Sequence, residues 1–174
     1  MWSWEHIILC AVLAVAAFID VRTHRIQNWL TYPTILLGFG LAFFNGGSAL
    51  LANHVLGFFA AGLPLLALFL GGSLGGGDVK LMAGVGAFLG FPLALNALLS
   101  SIMVGGLFAL LILIWQGRIF ALTKYAWQTL WHKVGIVANP AEPLPAHKDK
   151  FPFGIAIAIG TVLIIVPPGW LQST

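Results

Sequence analysis

The sequence predicts an all-α polytopic membrane protein with about six transmembrane helices. Three observations predict it. Hydrophobic residues make up 60% of the chain and charged residues only 7%, where a soluble domain carries about 25% charged residues. Six apolar segments follow one another, each apolar around its whole circumference, so lipid suits them better than a soluble core would. All 8 Lys and Arg residues fall in alternate connections.

The first segment, Trp4–Ile19, lacks a basic flank before it and ends in Asp20 rather than a small-residue cleavage site. It therefore reads as a retained span and not as a signal peptide. Tyr32–Phe44 and Leu50–Leu70 follow, with Gly46, Gly47 and Ser48 between them as a turn. The glycine-rich stretch Gly71–Gly77 leads into Val79–Leu95. An uncharged turn at Gly90-Phe-Pro-Leu precedes Ala97–Trp115, and Phe153–Val166 closes the series. A spanning helix needs about 20 apolar residues, so the second and last segments are short. Residues 1–174 read as one domain, with 117–150 as a long loop. Within it, apolar residues recur at roughly helical spacing from Ile119 to Val134, with Arg118, Lys124 and Lys133 among or beside them. That pattern predicts a helix lying on the inner leaflet. Asn139-Pro-Ala-Glu-Pro-Leu-Pro then reads as an extended loop.

Charge fixes the orientation. Arg22 and Arg25 follow the first span, Lys80 follows the third connection, and the remaining five basic residues lie in 117–150. The positive-inside rule places these odd-numbered connections in the cytoplasm and both chain ends outside. Trp2, Trp4, Trp29, Trp115 and Trp170 fall near expected span ends, where an indole rests among head groups. Gly86-Ala-Phe-Leu-Gly90 has the spacing that lets membrane helices approach closely.

Composition also excludes whole function classes. The net charge of +3 is small and scattered, so no nucleic-acid surface is expected. A single cysteine, Cys10, leaves no internal disulfide and no cysteine-built metal site. The chain contains no HExxH zinc motif, no P-loop and no GxSxG elbow. His6, His24, His54, His132 and His147 are scattered and read as solvated side chains. His24 would reach Asp20 only if the first helix continued.

Two acids remain. Asp20 ends the first span and Asp78 begins the fourth, and an acid at the edge of a membrane helix marks a functional site by default. The first span runs inward and the fourth outward, so both acids come to one face at one depth. Carboxylates that approach cannot both ionise cheaply, so one proton is shared. The ionised member can then take a proton from water while the other polarises a carbonyl. Helix ends suggest a division of labour, with the charge on Asp78 at a helix N-terminus and the proton on Asp20 at a C-terminus. Gly75, Gly76 and Gly77 allow positive φ and a close approach to an extended substrate. Lys80 either supports the anion or reaches for lipid head groups.

At these residues the chain resembles a known family. Asp20-Val-Arg-Thr-His-Arg-Ile-Gln-Asn-Trp-Leu-Thr31 is similar to the first-aspartate motif of type IV prepilin peptidases. Gly75-Gly-Gly-Asp-Val-Lys-Leu81 is similar to their GxGD-x-K-L motif, and Phe151-Pro-Phe-Gly154 to the segment before their last span. The resemblance implies a six-span aspartic peptidase of the bacterial inner membrane that cleaves the short leader of prepilins and pseudopilins at the cytoplasmic edge. It makes Asp20 and Asp78 the catalytic acids, puts Gly75, Gly77 and Lys80 in the second motif, and matches Arg22 and Asn28 to the first without a role. Gln27 stands where the family commonly has proline, which leaves that turn less constrained. The chain begins at the first span without paired CxxC motifs, so methyltransferase activity, S-adenosylmethionine and any other cofactor are not expected. This compact form resembles the stand-alone peptidases of tight-adherence (Flp) pilus systems. The partners implied are a prepilin and the lipid bilayer, with the oligomeric state open. The runner-up from the residues alone is a small transporter or proton-relay protein, whose acids would sit nearer mid-membrane.

Overall fold

The structure, a computed structural model, describes residues 4–115, 124, 127–129, 131 and 153–166. Its elements are α1 (Trp4–Thr23), α2 (Asn28–Leu70), α3 (Gly76–Leu89), α4 (Leu93–Trp115) and α5 (Phe153–Ile165). Among the described residues every regular element is a helix. Three of them, α1, α2 and α4, are long and apolar enough to cross a membrane, and α5 is a shorter apolar helix. Contacts divide the chain into Met1–Gly105 with Pro152–Thr174, and Gly106–Phe151. In the second unit Lys124, Trp127, Gln128, Thr129 and Trp131 are helical, and the Trp127 and Trp131 rings meet edge to face at 5.2 Å. The rest of the expected interfacial helix, the loop after it, and Trp2 and Trp170 lie outside the described residues.

The second and third apolar segments are the two arms of α2. Unbroken, its 43 residues would run about 65 Å, twice the hydrocarbon thickness. The helix breaks at Gly46 (φ −151°, ψ 17°) and Gly47 (φ 61°, ψ −151°), where the sequence places its turn. Gly47 holds a positive φ that a side chain would strain.

Both arms lie against α3, and their contacts give their directions. Gly84 faces Thr34 and Gly38 faces Ala87, so the first arm runs parallel to α3. Gly57 faces Gly86 and Gly90, while Gly62 faces Ala83, so the second arm runs antiparallel. The arms are thus a hairpin clasping α3. Lipid gives no hydrophobic drive between helices, so close packing holds them. A Cβ on Gly86 would lie 2.3 Å from the Gly57 carbonyl oxygen. The small-residue spacing at Gly86 and Gly90 therefore serves packing.

The expected fourth span, Val79–Leu95, ends earlier than predicted. Helix α3 stops at Leu89, Gly90 takes φ 66°, and α4 starts at Leu93. Pro92 cannot donate to a continuing helix. At 14 residues, α3 is about 21 Å long and short of a full crossing. It can be short because all residues from Leu81 to Phe88 are buried by neighbouring helices. The second arm of α2 also pins its far end. The Phe91 N–H donates to Asn53 Oδ1 at 2.7 Å, and His54 Nδ1 lies 2.8 Å from the Ala87 carbonyl oxygen. His54 is therefore not a solvated side chain; facing a carbonyl, its Nδ1 carries the proton.

Helix α5 packs on α1 and on the first part of α4. Gly160 lies under the Ser101 backbone, and Gly105 lies under Phe153 and Ala156. Buried hydroxyls return to their own helices: Thr34 Oγ1 donates to Leu30 O at 2.7 Å and Ser101 Oγ to Ala97 O at 2.6 Å. Such back-bonding satisfies a polar group without an interhelical partner.

Candidate active site

One end of the bundle gathers the chain's motifs. Helix α1 buries Leu9, Leu13, Ala16 and Asp20, a stripe one turn apart at each step. Asp20 thus continues the core-facing row, and only 4% of it is exposed. The helix stops just beyond. His24 turns to φ 49° while its N–H still bonds Asp20 O at 2.8 Å, a left-handed cap of the helix. The Thr23 hydroxyl lies within hydrogen-bond reach of Ile19 O (2.9 Å) and Arg25 O (3.0 Å). Helix α1 therefore ends at His24.

The connection His24–Gln27 leads straight to the second motif. Ile26 is buried on Gly77, where a Cβ would lie 2.8 Å from Ile26 O and 2.9 Å from its Cβ. This fit corrects the expected reason for the glycines: Gly75 has φ −82°, and the positive φ of that loop lies at Gly72, at 75°. Gly77 is needed for the close approach of Ile26. Gln27 takes φ −83°, ψ 144°, close to what a proline would impose. Its side-chain oxygen accepts the Trp29 indole N–H.

Asp78 is the third residue of α3 and half-buried. Its Oδ2 accepts the Gly75 N–H at 3.2 Å. Asp20 Oδ2 accepts the Gly154 N–H at 2.8 Å; Gly154 is the second residue of α5. Both carboxylates therefore meet the start of a helix, where unpaired N–H groups point outward. Asp78 stands at the N-terminus of α3 and Asp20 near the C-terminus of α1, as expected, but the Asp20 carboxylate also meets the start of α5. Ile26, from the connection after α1, is seated on Gly77, the residue before Asp78, so the two acids stand at the same end of the bundle.

The supporting residues divide. Lys80 Nζ donates to Asn28 Oδ1 at 2.8 Å and to Tyr32 OH at 3.2 Å, with the Tyr32 ring centroid 4.9 Å away. Lys80 and Asn28 are thus partners, joining the second motif to the first. Arg22 is exposed, its guanidinium 4.5 Å from the Phe18 ring centroid. Sequence reasoning missed Tyr32, although it stands one helical turn after Asn28. It also gave no role to Gly154, although the resemblance drew in its segment. Among the described residues no three His, Cys, Asp or Glu side chains cluster as a metal site.

Comparison with known proteins bears on the same residues. The type IV leader peptidase family pattern matches residues 7–110, which include Asp20, Asn28, Gly75, Gly77, Asp78 and Lys80. Neither the curated proteins nor the solved structures compared with the chain yield a match. The pattern covers more than half of the 174 residues, so this membrane protein belongs to the type IV leader peptidase family.

Proposed function

We propose that the protein is an aspartic endopeptidase that removes the N-terminal leader of type IV prepilins or pseudopilins at the cytoplasmic edge of the inner membrane. The observation that carries this reading is that Asp20, at the inward-facing end of α1, and Asp78, third residue of α3, stand at one end of the bundle, with Ile26 from the chain after α1 seated on Gly77. Like charges that close share one proton. The ionised carboxylate takes a proton from water, and the oxygen of that water bonds to the peptide carbonyl carbon. The protonated carboxyl polarises the carbonyl oxygen. The C–N bond then breaks, and the departing nitrogen takes a proton from the pair.

Orientation follows from the charge partition. Arg22, Arg25 and Lys80 lie at the acid end, which the positive-inside rule assigns to the cytoplasm, with both chain ends outside. Trp29 is 59% exposed at the start of α2 and Trp115 is 93% exposed at the end of α4, which suits interfacial anchors.

The test is co-expression of a type IV prepilin with wild-type, Asp20→Asn or Asp78→Asn protein. Each amide keeps the shape of the acid but cannot exchange a proton at pH 7. The reading expects a shortened pilin with the wild type alone. Leader removal that survives both substitutions would refute it.

A further inference from the structure

Each acid is held through one oxygen, and in both cases the holder is a glycine amide. Gly154 donates to Asp20 Oδ2 and Gly75 to Asp78 Oδ2. The geometry at Gly154 requires a missing side chain. A Cβ there would lie 2.8 Å from Asp20 Oδ2 and 3.2 Å from Asp20 Cβ. At Gly75 a Cβ would meet Asp78 Oδ2 at 3.0 Å. The two holders come from different elements, α5 and the loop before α3.

Two-acid hydrolysis needs the reacting oxygen of each carboxylate aimed at one water. A free carboxylate turns easily about its terminal bond, because that torsion is broad. One N–H on one oxygen removes the freedom and leaves the other oxygen for the reaction. A backbone donor adds no titratable group of its own. We propose that Gly154 and Gly75 are the positioning residues of the Asp20–Asp78 centre. They act through a backbone amide and an absent side chain rather than through a reacting group. This role rests on the two-aspartate reading above.

The experiment uses the full chain, purified in detergent, with a type IV prepilin as substrate, and counts turnover per folded molecule. Displacing a reacting group by about 1 Å costs about a hundredfold in rate. Gly154→Ala is expected to lower kcat by about that factor with KM unchanged. Gly75→Ala, crowded less tightly and in ordinary extended backbone, is expected to lower kcat by about tenfold. Gly62→Ala is the control. Its Cβ would meet Ala83 Cβ at 3.1 Å and touch neither acid, so it lowers the melting temperature and keeps kcat. If Gly154→Ala does not fold, Gly75→Ala carries the test. Wild-type kcat in the glycine variants, or a loss that lies wholly in KM, overturns the positioning role. Asp20→Asn in the same assay separates the two ideas. If it is inert while Gly154→Ala is fully active, only the positioning role falls; if it cleaves, the two-aspartate reading falls.

Discussion

Lys80 donates a 2.8 Å hydrogen bond to Asn28 across 52 residues of sequence. The bond ties the first turns of α2 and α3 together beside the two acids. With Ile26 seated on Gly77, it sets the first motif against the second.

That bond predicts non-additive substitutions. Asn28→Ala and Lys80→Met each lose the same contact, so the double variant is expected to cleave no more slowly than the worse single variant. The bond is exposed to solvent, so the coupling of this cation-to-amide hydrogen bond is about 0.5–1 kcal/mol, or about fivefold at most in rate. A double-mutant cycle on prepilin cleavage measures it. Fully additive losses would show that the two residues act separately.

Gly77→Ala is expected to push Ile26 away, because the neighbouring atoms are backbone and cannot turn aside. Overpacking of this kind costs about 1–3 kcal/mol. Thermal unfolding in detergent gives the stability, and cleavage per folded molecule should fall as the first motif shifts. An unchanged melting temperature would contradict the seat.

The hairpin clasp can be tested with two glycines of α2 and α3. Gly86→Ala would drive a Cβ to 2.3 Å from the Gly57 carbonyl oxygen, whereas Gly40 has nothing within 4 Å. Gly86→Ala is expected to destabilise by 3 kcal/mol or about that. Gly40→Ala should be neutral or stabilise by about 0.5–1 kcal/mol, since alanine is the better helix former. Unfolding midpoints that rank the other way would remove the clasp.

Orientation is checked by labelling. In a Cys10→Ala background, Gln27→Cys and Ser73→Cys are exposed at the acid end, and Ser48→Cys is exposed at the hairpin turn. A membrane-impermeant maleimide applied from outside the inner membrane is expected to label Ser48→Cys alone. The other two should react only after the membrane is opened. The reverse pattern would turn the protein over.

Part of this architecture is written in the order of residues. Gly46 and Gly47 mark the hairpin turn because glycine tolerates backbone angles that other residues avoid. Pro92 and Gly90 mark the end of α3, although the apolar run carries on past them. The inward direction of Asp20 was not legible. Every face of α1 is apolar, so no stripe distinguishes the row of Leu9, Leu13 and Ala16 that Asp20 completes. The partners of Lys80 were hidden for a similar reason: Asn28 and Tyr32 lie in another helix, and a lone cation carries no address.

The sequence alone determined that the chain is helical and apolar enough for lipid, and that two acids stand at the ends of runs sharing one side. Composition and the alternation of charge suffice for that, because both are sums over residues and need no contact. Tertiary structure alone decided what holds Asp20, whereas Asp78 is held locally, three residues from Gly75. The Gly154 amide reaches Asp20 across 134 residues, and Gly75 holds Asp78 by its backbone. An N–H is the same on almost every residue, so only the packing of α5 on α1 and the turn into α3 could select these two.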